Sequence, residues 1–254
     1  MKCEWEIIHA FLQDKEIKQC HFFPLLNKFK QPDQKRKDVC KELSTQLESI
    51  IEEFPIFNRV LWNEIFHDEK ECLEHIIILP VVGTEEHNVI KKDDQIYLLL
   101  DLIKIANITP IISQMVYVME NFLTLEITKL CIHSRYPLSS KNYLDLLDYF
   151  TFTNGLSHFL SWNEDAKLYK FYTDKYEPYK EKAFSMLAQS LDIENKALQH
   201  NILIHATSGD FWSQFPKVAG MFYFDDIFRE YGNQGIVFLY QKGPKRFIQH
   251  IFQE

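Results

Sequence analysis

Apolar positions along this chain change period twice. Over the first 74 residues they recur at helical spacing: Trp5, Ile8, Phe11 and Leu12 share one face, and Val39, Leu43, Leu47, Ile50 and Ile51 repeat at intervals of three and four. Pro24, Pro32 and Pro55 interrupt that pattern and predict element boundaries, with a further helix over 57–71. At His75 the period shortens. The β-branched run Ile76-Ile77-Ile78-Leu79-Pro80-Val81-Val82, stopped by Gly83, predicts a buried strand, and Gln95-Ile96-Tyr97-Leu98-Leu99-Leu100-Asp101 predicts a second. The polar segment 84–94 reads as a loop, so the two strands are expected side by side as an antiparallel pair.

From Asn107 onward the helical period returns. Thr109-Pro110 supplies a cap and first turn for a helix running to about Ile132. Ser139 or Ser140 can cap the next, which carries Leu144, Leu146, Leu147, Phe150, Leu156, Phe159 and Leu160. Later helices are expected over 178–191, 194–206, 217–231 and 234–240, with a short one after Pro244. Strands and helices do not alternate along the whole chain, which excludes a doubly wound sheet. The expectation is an α+β fold, predominantly helical with a small antiparallel or mixed sheet, in a single domain over 1–254 whose first part, about 1–74, is a helical subregion.

Composition narrows the chemistry. Only seven glycines stand among 254 residues, and neither G-x-G-x-x-G nor G-x-x-x-x-G-K-[ST] occurs, so neither common phosphate cradle is encoded. The net charge of -8 and the shortness of the one basic stretch, 28–41, argue against nucleic acid as a partner. Five widely spaced cysteines (Cys3, Cys20, Cys40, Cys72, Cys131) form no C-x-x-C and read as reduced, mostly packed thiols. Acidic residues at Glu4 and Glu6 interrupt what a signal peptide would need, and no uncharged apolar run is long enough for a membrane span. The expected location is cytoplasmic.

Several polar groups are candidate sites. His67, Glu71 and His75 are four residues apart but sit among Asp68, Glu69, Lys70 and Glu74, which fits a solvated helix end better than a metal site. Cys131 and His133, and likewise Ser157 and His158, are too close in sequence to face one another on a helix, and no G-x-S-x-G elbow exists. His200, His205 and Asp210 are candidates for lining a cleft. The aromatic-acidic segments Trp162-Asn163-Glu164-Asp165 and Gly209-Asp210-Phe211-Trp212 can anchor a partner or close a core.

The helix around 115–131 contains Val118-Met119-Glu120-Asn121-Phe122-Leu123, and a later one contains Asn154-Gly155-Leu156-Ser157-His158-Phe159. An aromatic helix follows, Ala219-Gly220-Met221-Phe222-Tyr223-Phe224-Asp225-Asp226-Ile227-Phe228-Arg229-Glu230-Tyr231-Gly232, then Gly235-Ile236-Val237 and Gly243-Pro244-Lys245-Arg246-Phe247. In order and character, residues 75–254 resemble the gluzincin-type, zincin-like metallopeptidases. In those enzymes the first long helix carries H-E-x-x-H and the second supplies a glutamate. The resemblance implies that Met119, Leu123 and Asn154 stand where His, His and Glu would bind zinc, leaving Glu120 at the general-base position. It therefore implies no metal, no cofactor and a catalytically inactive protein that binds a peptide or protein partner. The alternative is a metal-independent hydrolase in a re-purposed cleft, drawing on Glu120, His158, His200 and His205.

Overall fold

The computed structural model describes residues 1–54, 56–67, 70–84 and 88–253, apart from the side chains at 70–72 and 88. Along the chain run strand β1 (Lys2–Cys3), helices α1 (Glu6–Leu12), α2 (Lys37–Glu52) and α3 (Arg59–Ile65), and strands β2 (Ile76–Val81), β3 (Asn88–Lys92) and β4 (Gln95–Asp101). Helices α4 (Leu102–Ile108), α5 (Ile112–Arg135), α6 (Tyr143–Ser161), α7 (Glu177–Leu191), α8 (Lys196–Thr207), α9 (Phe215–Lys242) and α10 (Phe247–Gln253) follow. The fold is α+β, predominantly helical with a small mixed sheet, as expected. It divides into one compact unit of residues 1–56 and 70–126 and a second of 57–69 and 127–254, so α5 contributes to both.

The first unit holds the sheet, in the order β1-β2-β4-β3. The expected antiparallel pairing of 76–82 with 95–101 is incorrect: β2 and β4 run parallel, from Ile76 opposite Ile96 to Val81 opposite Asp101. The antiparallel partner of β4 is β3, formed by residues read from sequence as loop. Asp93 and Asp94 both take positive φ, 49° and 61°, the two-residue turn whose twist suits a hairpin, and this turn sets β3 against β4. Strand β1 adds a parallel edge at Ile77 and Ile78. Helix α1 packs on β2 and α2, and α2 packs on α4. Buried Ile7, Ile8 and Phe11 of α1, Leu43 and Leu47 of α2, and Leu102 and Ile105 of α4 form the helical side of this core.

The sequence pattern does not predict helix α4, because its seven residues follow β4 without a break. Asp101 makes the join. One carboxylate oxygen accepts from the amides of Ile103 and Lys104 at 2.9 and 3.1 Å, and the other accepts from the amide and hydroxyl of Thr84 at 2.7 and 2.9 Å. These hydrogen bonds compensate a carboxylate that is 1% exposed.

The second unit is built on α9. Residues 215–225 are all buried, the mark of a helix surrounded by others, and α9 packs on α6, α7, α3 and α8. Phe152 of α6 meets Phe224, Tyr240 and Phe247 at ring distances of 5.8, 6.4 and 5.1 Å. The helices expected over 217–231 and 234–240 follow one another in α9 across Gly232, whose φ of 63° and ψ of -153° break the helix where the Tyr-Gly pair signalled a stop. The helix expected over 57–71 is shorter: α3 ends at Ile65, and a 3-10 turn occupies Lys70–His75. The next helix begins later than a Ser139 or Ser140 cap would place it. Asn142 caps α6 through the amides of Leu144 and Asp145, while Ser140 supports it by accepting from the Asn142 amide.

Candidate functional site

Met119 and Leu123 lie one turn apart on α5, so their side chains share a face, and both are 0% exposed. Glu120, a third of a turn round, is half-buried, as is Asn154 on α6. Their burial suits the residue types: the apolar pair is enclosed, and both polar groups keep part of their surface open. Among the described residues, no three His, Cys, Asp or Glu side chains converge as metal ligands would. His67 and His75 are exposed, and Glu71 lies outside the described side chains.

Cys131 is buried, and His133, two residues further along α5, meets the Tyr149 hydroxyl at 3.1 Å. Burial pushes the Cys40 thiol up to about 12, out of reach of thiolate chemistry.

Other sequence candidates do come together. His158 on α6 sets its ring edge-on to Phe211 at 5.2 Å, and Trp162 and Trp212 meet the same ring at 5.7 and 4.8 Å. Asp210 caps the short 3-10 turn Phe211–Ser213 by accepting from the Trp212 amide at 3.0 Å. The chain then enters α9 with Pro216 in the first turn, followed by Lys217.

Helical side chains lean toward the N-terminus, and Lys217 reaches back until its Nζ stands 4.2 Å from the Phe211 ring centroid. Burial, then the charge of Lys129, lowers its pKa to about 8, while Asp210 opposes the shift. Burial, then Lys217 and Lys129, holds His158 well below the usual imidazole range, so its ring is neutral at pH 7.

Sequence reasoning singled out His158, Asp210, Phe211 and both tryptophans without joining them, and it missed Lys217 and Lys129. The available signal was a lysine inside the otherwise apolar stretch Phe215-Pro216-Lys217-Val218-Ala219. His200 and His205 are exposed on α8. His200 lines a cleft of about 890 Å³ with Lys141, Leu144 and Ile193.

A second cleft, of about 420 Å³, is lined by Arg135, Tyr136, Leu138, Asp145, Asp148 and Lys245 among others. Asp148 accepts from the amides of Arg246 and Ile248 at 3.0 and 2.8 Å, closing the start of α10 from a neighbouring helix. Burial pushes its pKa up to about 6, against the pull of those two hydrogen bonds and with a further rise from Asp145. Asp145 accepts from the Ser140 hydroxyl at 2.6 Å. No helix among the described residues is long and apolar enough to cross a membrane. Comparison with protein families, curated proteins and solved structures finds no match to this chain.

Proposed function

We propose that the chain is a catalytically inactive, zincin-like relative of the gluzincin metallopeptidases that binds a peptide or protein. The observation carrying this reading is the complete burial of Met119 and Leu123, the two α5 positions that the resemblance equates with zinc-binding histidines. Thioether and isobutyl groups enclosed there supply packing and leave Glu120 without a metal-bound water to deprotonate. The net charge of -8 accords with a partner other than nucleic acid, and the widely spaced thiols accord with a cytoplasmic location.

The reading is tested on untagged protein by metal analysis, by a broad peptidase and esterase screen, and by selection from a random peptide library followed by titration of the selected sequences. The expected result is saturable peptide binding, unchanged in Glu120→Gln, with no turnover in either protein. Turnover lost in Glu120→Gln, or zinc bound one-to-one and released by that change, overturns it.

One observation favours a second reading, a metal-independent hydrolase. Asp148 borders the cleft of about 420 Å³ with its pKa pushed up to about 6, near the range useful for general acid-base catalysis. Its two oxygens hold the amides of Arg246, just before α10, and Ile248, within it, and a structural cap accounts for the same arrangement. Turnover in the screen that survives Glu120→Gln and is abolished in a folded Asp148→Asn protein would select the hydrolase.

A further inference from the structure

We infer that the corner where Lys217 and His158 meet the Phe211 ring binds a compact oxyanion, a carboxylate or a phosphate, seated against the Lys217 ammonium at the N-terminal end of α9. Lys217 is 6% exposed, and its Nζ meets the face of Phe211. Among the described residues it makes no ion pair and no hydrogen bond. An ammonium carries three donors, and a ring face occupies only one side of it. The ammonium keeps a narrow opening to solvent, and an anion entering from there would complete its donors.

The surroundings point to the same sign of ligand. Lys217 belongs to the first turn of α9, where the aligned peptide dipoles disfavour a cation and favour an anion. Lys129 from α5 lies within electrostatic reach, and His158 from α6 offers a neutral ring able to donate or accept. Asp210, the carboxylate opposing them, is exposed and commits one oxygen to the Trp212 amide. Exposed Asp210 and half-buried Phe211 place the mouth of the site at the protein surface, accessible to a small ion or to the end of a larger ligand. The site does not depend on the metallopeptidase resemblance.

The test follows the Lys217 side chain in the whole protein by NMR of labelled lysine, assigned by the signal that disappears in Lys217→Met. Sodium phosphate, sodium acetate and sodium chloride are compared at equal ionic strength, together with one short peptide in free-acid and amidated forms. Phosphate or acetate should raise the Lys217 pKa by about one pH unit, because a neighbouring negative charge favours the ammonium. Each effective anion should also raise the thermal midpoint, and chloride should do neither. Lys217→Met should unfold at or above the wild-type midpoint, since an unpaired buried cation has gone, and its midpoint should be indifferent to the anions. A response to phosphate alone identifies a phosphate ligand. A response to acetate and to the free-acid peptide, absent with the amide, identifies a carboxylate. Wild-type Lys217 titrating alike in all three salts overturns the inference, as does a Lys217→Met protein that keeps the full thermal response. Should that variant not fold, Lys217→Arg supplies the assignment and the wild-type titration then decides.

Discussion

Gly155 of α6 and Gly220 of α9 pack backbone against backbone: a β-carbon built on Gly155 would stand 2.6 Å from the carbonyl carbon of Gly220. One built on Gly220 would collide with the Thr151 carbonyl oxygen. Two hydrogen side chains thus set how closely the principal helices of the second unit approach, and the aromatic contacts of Phe152 and Phe159 with α9 depend on that closeness. Gly220→Ala should cost about 1–3 kcal/mol or more by overpacking, read as a lower denaturant midpoint at unchanged slope. Near-neutral behaviour would mean that the helices separate readily.

Asn58, 8% exposed and in the left-handed region at φ 54°, ties the start of α3 to the end of α6. Its Nδ2 stands 2.7, 2.9 and 2.8 Å from the carbonyls of Leu160 and Asn163 and the Tyr169 hydroxyl, and its Oδ1 accepts from the Ala166 amide at 2.6 Å. Asn58→Asp keeps the shape but turns a donor into an acceptor facing three oxygens. A loss of about 3 kcal/mol is expected at neutral pH, shrinking as acid protonates the new carboxyl. Equal stability of the two proteins would show that the network is not holding this corner.

Asp148 gives stability a pH dependence of definite sign. Its native pKa, pushed up to about 6, lies above the unfolded value of 3.8, so between these values the folded chain binds the extra proton. Its contribution is therefore greatest below pH 3.8 and declines as pH rises to about 6, by about 1–3 kcal/mol. Asp148→Asn should lack this decline, so the variant should gain on the wild type across the window in paired urea titrations. Parallel curves from pH 4 to 6.5 would contradict it.

Complete burial of Leu123 and Met119 gives each a packing role that can be measured apart from any ancestry. Leu123→Ala should cost about 2–5 kcal/mol, while the near-isosteric Met119→Leu should cost less than about 1.5 kcal/mol. Denaturant unfolding of both variants checks the pair. A large loss in Met119→Leu would show that the thioether makes a contact a branched alkyl group cannot replace.

What could be read in advance was local. Apolar residues at three- and four-residue spacing located α2, α6 and α7, because a helix closes its hydrogen bonds between residues four apart and shows one face to the core. The Tyr231-Gly232 stop, the β-branched run of β2 and the Pro244 restart before α10 were legible for the same reason: each depends on the conformational preference of one or two residues. Even locally, β3 escaped, since its five residues are short and polar and the Asp93-Asp94 turn went unread.

The amino-acid order by itself determined the predominance of helix, the position of the two longer strands, and the apolar character of positions 119 and 123. Tertiary structure alone decided the parallel pairing of β2 with β4, because equivalent strands can pair in either direction and only the hairpin of β3 and the packed helices select one. It alone brought Lys217 over Phe211 and within electrostatic reach of His158, residues 6 and 59 positions away. No spacing rule connects them: their meeting depends on α6 and α9 crossing at Gly155 and Gly220, and burial at that meeting, not residue type, lowers the pKa of the lysine.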